Sequence, residues 1–383
     1  MTEPAMASMR PPPRNPFRVG SAKALAWQVL AVVAFVAFVM WIGHNAAGNM
    51  ARRSITFGFD FLLTPAGFDI PYHLLSWDVS DTYGWALIVT FGNSLLAAAL
   101  SIVLGSLLGL MLALMRLSGN PLAAGTSRGI MEIVRNTPQL VQIIFIYFVA
   151  LQSLPPPRQS FLLGSGIYLN VRGLLVPEAT LNPLLWLAGA LIVGLILVGW
   201  LARRPGRIAW LVLPMVLLAA WLIAAGFTAD WLIPELKGFN FIGGLRLPPE
   251  LLALWLGISI YTSAFISEII RASILGLPHG QTEAALSVGL TRWQVMFLVI
   301  LPQALRTLIP PLTSQYLNII KSTTLGAAIA YPDVLQIFGR TVLNQSGRAV
   351  EVMVLLLGLF LAVNLLVSAA MNRWNRRLAL QSR

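Results

Sequence analysis

A chain of 383 residues in which 57% are hydrophobic and 10% charged is too apolar for a water-soluble domain, and several of its uninterrupted apolar runs are long enough to cross a bilayer. It carries 26 Lys and Arg against 14 Asp and Glu, a net charge of +12, but most of the arginines flank apolar runs, where they mark topology, so no nucleic-acid partner is expected. It has no cysteine, which excludes a disulfide framework, a metal–thiolate site and a cysteine nucleophile.

The polar tail 1–24 carries Arg10, Arg14, Arg18 and Lys23. The apolar run that follows, 25–43, is longer than a signal-peptide core and reads as an uncleaved first transmembrane helix with its N-terminus in the cytoplasm. The segment 44–83 then lies outside, where Phe57, Phe59, Phe61 and Phe68 suit an interfacial helix on the outer surface. Arg52 and Arg53 run against the charge bias there. Further spans are predicted near 83–114, ending at Arg116, and near 130–151, following Arg128. Beyond Pro155, Pro156 and Pro157 come two more, near 183–202 and 208–227, joined by Arg203, Arg204, Pro205, Gly206 and Arg207. The last three are predicted at 251–274, 297–329 and 352–371, followed by Arg373, Arg376, Arg377 and Arg383 in the basic tail 373–383. Eight spans with the N-terminus inside place every basic loop after an even-numbered span, and the C-terminal tail, in the cytoplasm. The chain is therefore expected to be an all-α polytopic membrane protein of about eight transmembrane helices in the lipid bilayer.

Between the sixth and seventh spans lies a short polar and alanine-rich stretch. Pro278, His279 and Gly280 break the preceding helix, and 281–288 carries good helix formers up to Gly289, a C-terminal stop. Glu283 falls in the first turn, where a carboxylate suits the unpaired amides. Thr291 to Gln294 has the capping-box pattern and restarts a helix at once. A helix of roughly two turns should therefore lie across the cytoplasmic face. From the residues alone it is either an interfacial loop helix or a grip for a partner.

These residues carry a family resemblance. Glu283-Ala284-Ala285, then Gly289, then Leu301-Pro302, with Val299 where isoleucine is usual, resembles the signature loop of binding-protein-dependent ABC-transporter permeases. The resemblance continues through Gly92-Asn93-Ser94-Leu95, Arg135-Asn136-Thr137-Pro138 with Gln142, Ser267-Glu268-Ile269 with Arg271, and Lys321-Ser322-Thr323-Thr324-Leu325. Over 84–115, 127–151 and 251–380 the chain is similar to polar amino-acid permeases of the histidine/glutamine type, and most like the long permease subunits of general L-amino-acid importers.

The resemblance implies a five-helix type I importer core in two parts, 84–153 and 248–372, with 154–247 as an inserted segment. It implies a multi-pass subunit of the bacterial inner membrane that moves amino acids from periplasm to cytoplasm. Its partners would be ATP-binding cassette ATPase subunits, a related second permease in a heterodimer, and a periplasmic amino-acid-binding protein. The helix at about 281–290 would be the coupling helix, with Gln281, Glu283, Ala284, Ala285, Gly289, Leu301 and Pro302 meeting the ATPase. The chain contains no Gly-x-x-x-x-Gly-Lys-Ser/Thr loop, so the partner ATPase would bind ATP and magnesium, and no cofactor is expected in this chain.

Lys321 lies near the middle of the seventh run, and a lysine at bilayer centre costs about 2.5 to 3.5 kcal/mol on insertion scales. It should meet a substrate carboxylate, or else pair with a carboxylate or backbone carbonyls to fix packing. Glu268 either pairs with Arg271 on one helix face or lends an acceptor to the passage, and Arg135 stands in the same relation to Glu132. Asn93 and Gln142 serve as interhelical hydrogen-bond partners or as contacts in the passage. Ser322 and Thr323 complete the expected pathway set. Where Ser322 stands, the related subunits usually carry an acid, so a passage specialised for cationic side chains is disfavoured. His44, His73 and His279 lie far apart, and neither they nor any other residue suggests a metal site or catalysis. The competing class is an ion-coupled secondary amino-acid carrier, which usually shows repeated halves with paired broken helices. None is visible in this sequence.

Overall fold

The computed structural model describes residues 22–52, 58–180, 217, 218, 220, 221 and 230–379. Apart from the four residues between 217 and 221, the expected spans at 183–202 and 208–227 lie outside the described residues. The chain divides into two units, Met1–Gly58 and Phe59–Arg383. In the first, helix α1 (Ala22–Arg52) exposes Trp27, Phe35, Met40 and Trp41. It is apolar around its circumference, as a span surrounded by lipid would be.

The second unit is built on α2 (Tyr83–Leu117), capped by Thr82, whose hydroxyl accepts from the Trp85 amide. α2 packs along α5 (Pro249–Leu275), and small residues set the approach. A Cβ placed on Gly105 would lie 2.7 Å from the Thr262 hydroxyl, and one on Gly109 would lie 2.7 Å from Ile266. The spacing Gly-x-x-x-Gly thus lets two membrane helices meet at backbone distance.

The expected continuous third span, 130–151, is instead two helices, α3 (Pro121–Asn136) and α4 (Gln139–Ser153), bent by 100°. Pro138 is the cause. It supplies no amide and pushes its predecessor out of helical backbone, so Thr137 is extended at φ −98° and ψ 126°. Across the bend the Gln142 amide donates to the carbonyls of Val134 (2.8 Å) and Thr137 (3.0 Å), so backbone acceptors at the end of α3 remain satisfied.

After α5 come the short α6 (His279–Ser287), a turn at Arg292–Gln294, a π-helical stretch Val295–Ile300, and α7 (Leu301–Ser322), which tightens into a 3₁₀ segment Thr323–Ile329. The capping box at Thr291 and Gln294 forms as expected. The stretch before the final helix α8 (Ala349–Ala379) is helical from Val334 to Ser346, capped by Asp333 and stopped by Gly347 at φ 65°. At 13 residues from Val334 to Ser346 it is too short to span a membrane, and it buries Val334, Phe338 and Val342 in the core. Among the described residues, five helices are long and apolar enough to cross a membrane, or six if α3 and α4 count as one span.

The segment around Phe59–Phe68 is not an interfacial helix. Only a 3₁₀ turn, Asp60–Leu63, forms there, and Phe61 is buried with its ring edge toward Tyr83 at 5.7 Å. Phe68 stacks on Trp77 at 5.8 Å. Phe61 and Phe68 thus pack against Tyr83 of α2 rather than on lipid, while Phe59 is exposed and Phe57 lies outside the described residues. At the exposed surface of this segment, the hydroxyl and amide of Ser80 both donate to Asp78 and hold its carboxyl below the usual range.

Asn93 ties this segment to the core. It is fully buried; its Nδ2 donates to the carbonyls of Tyr72 (2.8 Å) and Pro332 (2.9 Å), and its Oδ1 accepts from the Leu74 amide (3.1 Å). One side chain thus joins α2 to two backbone segments. Asn93→Ala leaves three backbone groups without this partner, the buried Pro332 carbonyl among them, and the expected loss is about 1–3 kcal/mol. Thermal unfolding in detergent measures it, and an unchanged midpoint would contradict the role.

The inserted segment contributes β-structure that the sequence reading did not anticipate. Strands β1 (Phe161–Gly164), β2 (Ile167–Asn170), β3 (Gly173–Val176) and β8 (Leu245–Leu247) form an antiparallel sheet in that order. β4 (Glu178–Thr180) pairs with β5 (Asp230–Leu232), and β6 (Glu235–Lys237) with β7 (Asn240–Ile242). Gly173, at φ 113°, lets β3 and β8 approach: a Cβ there would sit 2.0 Å from the Leu247 carbonyl oxygen.

Candidate functional site

Two surfaces gather the residues singled out by sequence. The first is α6. It starts after Pro278 and stops at Gly289, which adopts φ 85°, a conformation suited to glycine. Ala285 is its one buried residue, packed with Val295 and Ile300 and flanked by Ile274, Leu277 and Leu290. The opposite side stays open: Gln281, Glu283, Ala284 and Gly289 are exposed, as are Val288 (77%) and Trp293 (74%). Gln281 accepts a hydrogen bond from Gln303 at 3.3 Å, linking α6 to the start of α7.

The π-helical stretch joining α6 to α7 has a local cause. Pro302 has no amide to donate back along the helix, and the Leu301 amide instead reaches five residues back to the Met296 carbonyl. Through Ala285, α6 packs directly on Val295 and Ile300 of this wide helical turn at the root of α7.

The second surface is one face of α7. Gln303, Thr307, Ser314, Asn318 and Lys321 recur at helical spacing. Thr307, Ser314, Asn318 and Lys321 are exposed. Among the described residues, the side chains of Ser314, Asn318 and Lys321 have no hydrogen-bond or ion-pair partner. Thr307 and Pro311 also line a cleft of about 290 Å³ shared with Ile269, Ala272, Ser273 and Gly276 of α5. A polar, uncovered stripe along a membrane-length helix is costly against lipid, so it faces water or protein.

The upper end of this face meets the bend between α3 and α4. The Ser322 hydroxyl donates to Gln139 Oε1 at 3.2 Å, at the first residue of α4. Lys321 stands next to it, while Thr323 is buried and donates to the Ile320 carbonyl at 2.8 Å.

The other expected pathway residues are engaged within the fold. Glu268 uses both oxygens, accepting from Arg271 at 2.8 Å and from Arg116 of α2. The pair with Arg271 was legible from spacing; Arg116 was not, being 152 residues away. Arg135 does not pair with Glu132. Its guanidinium lies 5.4 Å from the Phe265 ring centroid, a cation–π contact between α3 and α5. Asn93 and Gln142 make the backbone ties described above. Thr307, Ser314 and Asn318 were missed by sequence, although polar residues spaced three, four and seven apart in an apolar run were the available signal.

Residues 101–380 match the family of binding-protein-dependent transport system inner membrane components. Over 378 residues the chain is 46% identical to YhdX of Escherichia coli (strain K12), named as an amino-acid ABC transporter permease protein, with 95% of this chain and 96% of the relative covered. It is 37% identical to the general L-amino acid transport system permease protein AapQ of Rhizobium johnstonii, covering 94% and 93%. It is 31% identical to the glutamate/glutamine/aspartate/asparagine transport system permease protein BztB of Rhodobacter capsulatus, covering 99% and 100%.

Proposed function

As a member of the binding-protein-dependent transport system inner membrane components, the chain is, we propose, the permease subunit of an ATP-driven importer that carries amino acids into the cytoplasm. The observation that supports this most is the uncovered polar face of α7 running from the coupling region to Lys321. A related second permease closes the passage over that face, as a heterodimer. Lys321, beside the Ser322–Gln139 contact, receives the substrate carboxylate. Ser322 in place of an acid leaves the passage without an added negative charge, which favours a broad range of polar amino acids over cationic ones.

The outer side of α6 docks on a separate ATP-binding cassette ATPase, which holds ATP and magnesium. The small Ala284 allows close approach, and Glu283 offers a carboxylate to a basic or amide partner. A periplasmic amino-acid-binding protein delivers substrate on the side opposite α6, with both chain termini cytoplasmic in the inner membrane.

The test co-expresses the chain with its candidate ATPase and second permease and compares Glu283→Ala combined with Gly289→Asp against the native chain. ATPase retention and stimulation by loaded binding protein should fall while the two membrane subunits still co-purify. Full retention and stimulation would overturn the assignment of α6.

A further inference from the structure

The inserted sheet has two unlike faces. One cross-strand row runs Leu162, Tyr168, Leu175 and Arg246, and β7 covers part of it: the Tyr168 and Phe241 rings lie 4.8 Å apart and Leu175 is buried. The other face carries the row Phe161, Leu169, Leu174 and Leu247, with Val176 opposite Leu245 beside it. All six side chains of this second face are apolar. Phe161 is 53% and Leu245 42% exposed, and a contiguous apolar face of this kind marks a surface made for an apolar neighbour.

The direction of that face is fixed at one end. Leu247 packs on the cluster containing Ile143 of α4 and Leu251 and Leu254 of α5, which lies within the membrane helices. The sheet stands where α4 ends, at Ser153, and α5 begins, at Pro249, that is, at the membrane boundary. With strands about 4.8 Å apart, Phe161 lies roughly 14 Å along the row from Leu247.

A second anchor comes from β4 and β5. Thr180 pairs with Asp230, so the chain leaves and returns at one point, and the residues between include the apolar runs 183–202 and 208–227, each long enough to cross a bilayer. Trp231, 54% exposed, sits directly after them, where an aromatic suits the headgroup level. The apolar face of the sheet is turned the same way as Leu247.

We propose that the face carrying Phe161, Leu169, Leu174 and Leu245 lies on the lipid surface of the outer leaflet, so that the described part of the inserted segment is an interfacial β-platform. On the other face β7 covers the middle of the row, and its two exposed ends, Leu162 and Arg246, face water. This assignment does not depend on the substrate or on the ATPase.

The absence of cysteine makes the test clean. Single variants Phe161→Cys, Leu162→Cys, Leu245→Cys and Arg246→Cys are spin-labelled in the full chain, assembled with its partners in phosphatidylcholine/phosphatidylglycerol nanodiscs. Collision with oxygen, which partitions into lipid, is compared with collision with a water-soluble nickel chelate. Oxygen should dominate at 161 and 245 and the chelate at 162 and 246, an alternation between adjacent residues. Chelate dominance at all four positions would place the sheet in water and overturn the proposal. Shielding of 161 and 245 from both reagents would also overturn it, by showing that protein covers the face.

Discussion

Gly109→Leu is expected to break the packing of α2 on α5 and to leave little folded protein. A Cβ at this position would lie 2.7 and 2.8 Å from Ile266 and 3.1 Å from the Ser263 carbonyl oxygen. The Ile266 contacts involve Cβ and Cγ2 of a branched side chain, and the third is backbone, so neither can swing aside. Overpacking typically costs about 1–3 kcal/mol, and a leucine at a backbone-close helix crossing belongs at the upper end or beyond. Gly358→Leu is the matched control, because nothing lies within 4 Å of a Cβ there. Size-exclusion profiles and melting midpoints in detergent separate the two variants; equal behaviour would show that the Gly105–Gly109 approach is not what holds the helices.

The second large effect is expected from Lys321→Met, which keeps the length of the side chain and removes its charge. Lys321 is exposed and has no ion-pair or hydrogen-bond partner for its ammonium among the described residues, so its loss should spare the fold. A hydrogen bond to a charged group contributes about 1.5–3 kcal/mol, so apparent affinity for substrate should weaken by about 10- to 150-fold. Binding of the ATPase should not change. Uptake measured against substrate concentration in proteoliposomes reads the shift, and an unaltered concentration dependence would remove Lys321 from the passage.

The sequence announced α2, α5, the joined helix from Arg292 to Ile329, and α8, because long apolar runs bounded by arginine and proline have few alternative structures in a bilayer. It also announced α6, through Pro278, Gly289 and the capping box at Thr291. What it hid depended on contacts between distant positions. The bend at Pro138 was signalled by the proline itself, yet the apolar run through 130–151 read as one span. The sheet in the inserted segment has strands of three or four residues, too short for a period-two pattern to stand out, and half of them come from the far side of the insertion. The helical stretch Val334–Ser346 is short and flanked by membrane-length helices, so only its burial reveals it.

The site divides in the same way. Glu283, Ala284 and Gly289 are local in sequence and were legible as a group. Asn93 and Glu268 were legible as polar residues in apolar surroundings, but their partners, from Tyr72 and Pro332 to Arg116, are set by how α2, α5 and the loops pack. The polar face of α7 was partly legible: Lys321 stood out by its charge, while Thr307, Ser314 and Asn318 matter because none of the described residues covers them.

The most direct measurement reconstitutes the chain with its ATPase and second permease in proteoliposomes, adds loaded binding protein on the substrate side, and follows uptake of a labelled polar amino acid without any ion gradient. Uptake that requires ATP on the side of α6 is the predicted result. Uptake that proceeds without ATP and follows an imposed sodium or proton gradient would contradict the account.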